Sequence, residues 1–262
     1  MGQTLTVSGL DVRYIDVGPR EADAQILLLF HGWGADAGTF VPVVDALKEQ
    51  YRVIAPDLPG CGATGEPEKP WTNNDYADFI QAFIEGLGLK GQRLSACGHS
   101  HGGRILIKWA ARSPLELRRL ILIDSAGLKP RRGLDWYARV YAYKAGKTLL
   151  KLPYLGRRLA PLAAAKQESA GSADYRQASP LMRRTMAMLL EEDLGRCLPM
   201  IRVPTLLFWG EQDEDTPIEM GRKMEKDIPN AGLVLLSPAG HYAYLDQLPI
   251  FLRALCYFME HS

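Results

Sequence analysis

Ser100 stands in a short glycine-rich stretch whose residue types fit nucleophilic catalysis. The stretch runs from Gly98 to Gly102 and has the pattern G-x-S-x-G. An apolar run precedes it and a segment of helical period follows it, which predicts a sharp strand-to-helix turn with the serine at its tip. Free N–H groups at the start of a helix favour developing negative charge. The pattern therefore predicts Ser100 as a nucleophile.

A serine hydroxyl needs a base to take its proton, and the base must be oriented by a third group. In this architecture the expected chain order is serine, then acid, then histidine. The late histidines are His241 and His261. His241 follows the last apolar run directly, whereas His261 is the penultimate residue. We therefore predict His241 as the base.

The acid is expected in the loop that follows the apolar run ending at Gly210. That loop offers four carboxylates: Glu211, Asp213, Glu214 and Asp215. Spacing from Gly210 favours Asp213, with Asp215 as the fallback. Asp124 also follows an apolar run, so it stays open as an alternative acid.

The stretch His31-Gly32-Trp33-Gly34 follows the apolar run 26–30 and predicts an oxyanion hole. Glycines at that place let backbone N–H groups face the nucleophile. The predicted donors are the N–H groups of Trp33 and His101, and the Trp33 side chain would line the pocket. His31 is expected to bond nearby loop backbone. A substrate hydrogen bond from the His101 side chain stays open.

The elements that must position these residues alternate along the chain. After an opening hairpin at 4–8 and 11–17, apolar runs predict strands at 26–30, 51–57, 93–98, 119–124, 205–210 and 232–238. Helical periods lie at about 38–50, 75–88, 102–112, 217–227 and 248–260. Such alternation predicts a central parallel sheet flanked by helices, with ligands at its carboxyl edge.

The alternation breaks between Gly127 and about Leu190, where no strand candidate appears. That span holds 13 Lys and Arg against 3 Asp and Glu. A basic helical insertion of this kind predicts a cap over the sheet edge. The predicted domains are a core of residues 1–126 and 196–262, and a helical cap of residues 127–195.

Composition excludes several other classes of protein. Hydrophobic residues make up 47% of the 262 positions and the net charge is +1, which is typical of a soluble globular protein and indicates neither nucleic acid nor a membrane. No apolar run approaches the about 18 residues of a membrane span. The four cysteines form no cluster, so we expect no metal site, reduced thiols and a cytoplasmic location.

Taken together, these motifs resemble the α/β-hydrolase superfamily in order and spacing. They are HGWG, DLPGCGATG at 57–65, GHSHGG, GEQDEDTP and GHYAYLDQLP. The resemblance implies Ser100, Asp213 and His241 as nucleophile, acid and base, with the Trp33 and His101 N–H groups as the oxyanion hole. It also implies an eight-stranded, mostly parallel sheet with a helical cap and no cofactor. His101 departs from the family pattern, which usually has an apolar residue there.

The chemistry implied is carboxylic ester hydrolysis through an acyl-enzyme intermediate. HGWG and DLPG resemble pieces of the biotin-pathway esterases that act on a carrier-bound methyl ester. The substrate is therefore expected to be a small-molecule or carrier-bound ester, and the basic cap would suit an acidic carrier protein. Substrate contacts are predicted at Trp33, Arg104, Tyr137 and Tyr141.

Two other functions stay open. One is a lyase like the menaquinone-pathway synthase of this superfamily, which uses the same triad to eliminate pyruvate and has an arginine shortly after the nucleophile, where Arg104 stands here. The other is a hydrolase-fold receptor that binds a small ligand without turning it over.

Overall fold

The computed structural model describes residues 2–21, 23–129 and 177–262. Grouping by contacts gives two compact units, Met1–Lys129 with Pro180–Ser262, and Pro130–Ser179. The first unit is the core that carries every element below. Among the described residues, no helix is long and apolar enough to cross a membrane.

An eight-stranded sheet forms the centre of this core. Its strands are β1 Gln3–Val7, β2 Leu10–Val17, β3 Ile26–Phe30, β4 Arg52–Pro56, β5 Leu94–His99, β6 Leu117–Ile123, β7 Thr205–Gly210 and β8 Ala231–Leu236. Their order across the sheet is β1-β2-β4-β3-β5-β6-β7-β8. The β1–β2 and β2–β4 pairs are antiparallel and all the others are parallel. The predicted eight-stranded, mostly parallel sheet is confirmed.

Helices cover both faces of the sheet. In chain order, the α-helices described are α1 Val41–Leu47, α2 Asn73–Gly86, α3 His101–Ala110, α4 Pro180–Glu191, α5 Ile218–Asp227, α6 Ala243–Asp246 and α7 Leu248–His261. Short 3₁₀ helices lie at Ala37–Phe40 and Leu194–Met200. One face packs Phe79 and Phe83 of α2 with Ile105 of α3, and the other packs Val43 of α1 with Phe251 of α7. Continuous apolar runs such as Ile26–Phe30 are buried because both faces are covered.

Helix α4 belongs to the core unit, although the sequence assigns it to the cap. Its Leu189 is buried in the core cluster, and the Thr185 hydroxyl accepts the Trp71 N–H at 3.2 Å. The basic character of α4 lies on its exposed face, at Arg183 and Arg184. The cap boundary predicted at 195 therefore runs past a helix that belongs to the core unit. Most of the predicted cap, residues 130–176, lies outside the described residues.

The start of α3 packs directly against the backbone at the end of β3. A Cβ atom at Gly102 would lie 2.0 Å from the Phe30 carbonyl oxygen, and one at Gly98 would lie 2.5 Å from the Gly102 carbonyl carbon. Real Cβ atoms do not approach other atoms so closely, so both glycines are required by contact rather than by flexibility. These contacts bring the first turn of α3 against the end of β3.

We expect Gly102→Ala to lower the free energy of unfolding by about 3 kcal/mol, because the added methyl group must displace backbone. Urea unfolding followed by circular dichroism measures this change. Gly65→Ala is the matched control, since a Cβ at Gly65 meets no atom within 4 Å. We expect the control to change stability by less than about 0.5 kcal/mol. Equal stabilities of the two variants would contradict the close contact at Gly102.

Candidate active site

Five neighbouring parallel strands deliver the candidate residues to one edge of the sheet. The strands β3, β5, β6, β7 and β8 are consecutive in the sheet order. Directly after their carboxyl ends come, in the same order, the loop 31–34, Ser100, Asp124, Asp213 and His241. Carboxyl ends of parallel strands lie at the same edge, so residues far apart in sequence meet there.

Ser100 occupies a strained turn between β5 and α3. Its φ of 51° lies in the left-handed region, which residues with a Cβ rarely adopt. Neighbouring backbone holds it there, because its N–H donates to the Ile123 carbonyl at 3.0 Å and its carbonyl accepts the Ala126 N–H at 3.1 Å. The hydroxyl oxygen lies 2.9 Å from His241 Nε2. The turn thus directs the hydroxyl at an imidazole nitrogen.

The His241 ring bridges Ser100 and an acid. Its Nδ1 lies 2.8 Å from Asp213 Oδ2, so that Nδ1 carries the proton donated to the carboxylate and Nε2 is left to accept from Ser100. Burial disfavours the charged imidazolium, but the hydrogen bond and negative charge of Asp213 outweigh it and raise the pKa of His241. This arrangement makes His241 a stronger base than a free histidine.

Asp213 is a buried carboxylate with several donors around it. Its Oδ1 accepts the N–H groups of Asp215 and Thr216 at 2.8 and 3.0 Å, and the Thr216 hydroxyl donates to Oδ2 at 2.6 Å. Burial alone would raise the pKa of Asp213. Hydrogen bonds from His241 and Thr216 outweigh it and lower that pKa, so the group is ionised at neutral pH.

The structure separates the three acids that the sequence left open. Asp215 is exposed, and its described hydrogen bond is the one from its N–H to Asp213. Asp124 is fully buried, but its two carboxyl oxygens accept backbone N–H groups from Gly210 and Ala243. Burial raises the pKa of Asp124 to about 8. Of the three acids, Asp213 is the one hydrogen bonded to the imidazole.

The loop 31–34 lies beside the nucleophile, as an oxyanion hole requires. A Cβ at Gly32 would be 3.4 Å from Ser100 Cβ, so the backbone passes close to the serine. Within the described residues, no acceptor is recorded for the N–H of Trp33 or of His101, the first residue of α3. Both N–H groups are therefore available to a ligand.

His99 has a contact that sequence reasoning missed. Its Nε2 donates to the His241 carbonyl oxygen at 2.6 Å, and the close approach of Gly32 lets the ring fit behind the site. Burial, and then the neighbouring His241, lower the pKa of His99 to about 3. The G-x-S-x-G pattern requires no particular residue before the serine, so the sequence carried no signal for this neutral donor. His31, as expected, bonds loop backbone through both ring nitrogens.

The predicted substrate contacts Trp33 and Arg104 differ in how accessible they are. Trp33 is half-buried, and its ring packs edge-on against the His101 ring, with centroids 5.3 Å apart. Burial lowers the pKa of His101 to about 3, so that ring is neutral. Arg104 is only 3% exposed, and its Nη1 donates to the Leu189 and Glu192 carbonyls at 2.6 and 3.0 Å. The structure therefore does not present Arg104 as an accessible cation beside Ser100.

The remaining predicted contacts, Tyr137 and Tyr141, lie outside the described residues. Among the residues that the structure describes, one group of side chains could hold a metal ion: potential ligand atoms of Asp213, Asp215 and His241 lie within 4.8 Å of one another. An ion bound through His241 Nδ1 would replace the hydrogen bond to Asp213. The described contacts therefore favour a proton at this place over a metal.

Comparison with known proteins gives one family and several relatives. The family model described as alpha/beta hydrolase fold matches residues 25–248. The chain is 28% identical to the pimeloyl-[acyl-carrier protein] methyl ester esterase of Legionella pneumophila (strain Paris), over 89% of this chain and 95% of the relative. It is 24% identical to Lipase 1 of Psychrobacter immobilis, over 85% of this chain and 73% of that protein.

A solved structure agrees at the level of the fold. The enol-lactonase from Burkholderia xenovorans LB400 superposes with a TM-score of 0.76 at 22% identity, covering 99% of this chain and all of that one. At this identity the likeness shows the fold alone.

We expect a fluorophosphonate to label Ser100 at a rate that depends on neutral His241. Because the pKa of His241 is raised, the labelling rate falls as pH drops through a midpoint above 6.5. Asp213→Asn lowers the pKa of His241 and favours the tautomer in which Nε2, not Nδ1, carries the proton. The labelling rate therefore falls by about 10³-fold, and the midpoint of its pH dependence moves to lower pH. Mass spectrometry of the labelled protein across pH measures both.

Asp215→Asn is the matched control, since Asp215 is a neighbouring carboxylate without a bond to the ring. We expect its labelling rate to stay within about twofold of the wild-type rate. A larger loss in Asp215→Asn than in Asp213→Asn would show that the wrong acid has been assigned.

Proposed function

The chain belongs to the α/β-hydrolase family, and on that premise we propose that it is a serine hydrolase that cleaves carboxylic esters. The observation that carries the proposal is the hydrogen-bond chain from Ser100 Oγ through His241 to Asp213, with distances of 2.9 and 2.8 Å. Nucleophile, base and orienting acid in this geometry are the parts that acyl transfer needs.

Acylation begins when Ser100 Oγ attacks the ester carbonyl carbon. His241 Nε2 takes the hydroxyl proton as the new C–O bond forms. The ring then carries a positive charge, which the buried carboxylate of Asp213 stabilises through Nδ1–H. Because the pKa of His241 is already raised, the proton transfer from serine is less uphill than to a free imidazole.

The carbonyl oxygen becomes an oxyanion in this step. The N–H groups of Trp33 and His101 would donate to it, and the His101 donor also lies at the positive end of α3. Both are backbone groups on elements packed against the sheet. They need little reorganisation when the charge develops.

The second half of the reaction regenerates the enzyme. His241 gives its proton to the leaving alkoxide, so the alcohol departs and an acyl group remains on Ser100. Water then attacks that acyl carbonyl while His241 takes a water proton. The acid leaves as Ser100 Oγ recovers a proton from the imidazolium. No step calls for a metal or an organic cofactor.

The lyase alternative is not favoured. It drew on Arg104 as an accessible partner for an anionic substrate, whereas the guanidinium is buried against α4. Relatives of this chain include proteins named as a pimeloyl-[acyl-carrier protein] methyl ester esterase and as a lipase. The receptor alternative has no supporting observation, and the three hydrogen-bonded side chains support turnover.

For the substrate, we propose an acyl ester that an acidic carrier protein can present. Two observations support this choice. Relatives at 28% identity are named as esterases of a pimeloyl carrier protein. The span 127–190 holds 13 basic against 3 acidic residues, and opposite charges steer association.

We expect hydrolysis of p-nitrophenyl esters, from acetate to decanoate, with a single optimum in acyl length. Ser100→Ala should reduce kcat by about 10⁴-fold or more, because no nucleophile remains. Release of p-nitrophenolate measures the rates. Ser95→Ala, also on β5 and buried, is the control and should keep wild-type kcat. Equal activity in wild type and Ser100→Ala would contradict a mechanism with Ser100 as the nucleophile.

We also expect a carrier-bound methyl ester to be hydrolysed with a strong dependence on salt. Raising ionic strength from 50 to 300 mM should lower kcat/KM by roughly tenfold for the carrier-bound ester, because salt screens the attraction. The same methyl ester without carrier is the control and should change little. If both substrates respond alike, the basic span does not recruit a carrier.

A further inference from the structure

The Asp124 carboxyl is a fully buried group that the reaction above does not use. It lies at the end of β6, in the middle of the five strands that build the site. Its Oδ1 accepts the N–H of Gly210 at 2.7 Å, and its Oδ2 accepts the N–H of Ala243 at 3.1 Å. Both oxygens therefore bond backbone and neither is bonded to the His241 ring.

These two N–H groups belong to the loops that carry the acid and the base. Gly210 ends β7 just ahead of Asp213, and Ala243 opens α6 just after His241. The two oxygens of one carboxyl group have a fixed separation. A single rigid side chain thus sets how far apart the two loops begin.

The backbone of Asp124 is held as firmly as its side chain. Its φ of 43° lies in the left-handed region, although it is not a glycine. Its N–H donates to the Phe208 carbonyl at 2.9 Å, and its own carbonyl oxygen lies 3.0 Å from the Thr216 hydroxyl. Strained positions persist where the surroundings over-determine them, and they cluster at functional sites.

We propose that Asp124 is a positioning residue that ties the acid loop to the base loop and so fixes His241 against Asp213. The inference rests on the proposed function, because positioning has a kinetic meaning only if these residues react. Asp124 touches neither Ser100 nor the site of a substrate carbonyl. Its effect on the rate passes entirely through His241 and Asp213.

Asp57 provides a matched comparison within the same chain. It is also buried, and its two carboxyl oxygens accept the N–H groups of Ala37 and Ala63 at 2.8 and 2.9 Å. Asp57 thus joins two loops in the way that Asp124 does. Neither of its loops carries Ser100, Asp213 or His241, although the loop before Ala37 carries Trp33. Asp57 is therefore compared through the acidic limb of the pH profile, which reports on His241, and not through kcat.

The experiment compares Asn and Ala at both positions. Asn keeps one acceptor oxygen for the two backbone N–H groups, whereas Ala removes both acceptors. The ionisable groups that face Asp124 are Asp213, His241 and Tyr244. The measured quantities are kcat and KM for a p-nitrophenyl ester, the pH profile of kcat/KM, the fluorophosphonate labelling rate, and the urea unfolding midpoint.

For Asp124→Asn we expect kcat to fall roughly tenfold, and for Asp124→Ala about 100-fold, with KM unchanged, because displacement of a reacting group by about 1 Å costs this much. In both variants the acidic limb of the pH profile moves to lower pH, since His241 is less well paired with Asp213. Asp57→Asn and Asp57→Ala should lower the unfolding midpoint and leave the acidic limb in place.

Three results would overturn the inference. The first is a kcat and an acidic limb that stay at wild-type values in folded Asp124 variants. The second is an equal kcat loss in Asn and Ala, which would show that the rate does not depend on how many of the two backbone N–H groups keep an acceptor. The third is a shifted acidic limb in the Asp57 variants. If Asp124→Ala does not fold, wild-type kinetics in Asp124→Asn suffice to overturn it.

Wild-type labelling separates this inference from the proposed function. If Ser100 of the wild-type protein is not labelled and no ester is cleaved, the proposed function fails, and positioning for that reaction fails with it. If wild type is labelled and active while both Asp124 variants match it, only the positioning role is lost.

Discussion

The close backbone contact at Gly102 is the constraint on which the site depends. With a Cβ at Gly102 only 2.0 Å from the Phe30 carbonyl, α3 could not start against the end of β3. That contact brings the start of α3 beside the end of β3, and Ser100, just ahead of α3, has a left-handed φ. The same short stretch of backbone thus packs α3 against β3 and presents the Ser100 hydroxyl at the edge of the sheet.

Two buried carboxyl groups near the His241 imidazole, those of Asp213 and Asp124, have pKa values shifted in opposite directions. Asp213 receives donors from side chain and backbone and has a lowered pKa. Asp124 lies deeper, and burial raises its pKa to about 8 despite its two N–H bonds. Environments that push the pKa values of two carboxyl groups apart give them different roles. In the roles proposed above, Asp213 would stabilise the charge that forms on His241, and Asp124 would hold the two loops in place.

The sequence predicted the parallel sheet and the loops that carry the candidate residues, because both depend on local patterns. Apolar runs predicted the strands, and the loops that follow parallel strands had to meet at one edge. Spacing favoured Asp213 but left Asp124 and Asp215 as alternatives, since all three follow strand ends and loop conformation decides. The patterns also missed His99, whose partner His241 lies 142 positions away, and they misassigned α4, because charge marks only its solvated face.

The separation of Ser100 from His241 by 141 positions has a consequence during synthesis. His241 follows β8, the strand at one edge of the sheet, so it is synthesised after all eight strands. A nascent chain in which the nucleophile turn has already formed therefore has a serine without its base. If Ser100 and His241 react as proposed, their chemistry becomes possible only once the chain has been synthesised as far as His241.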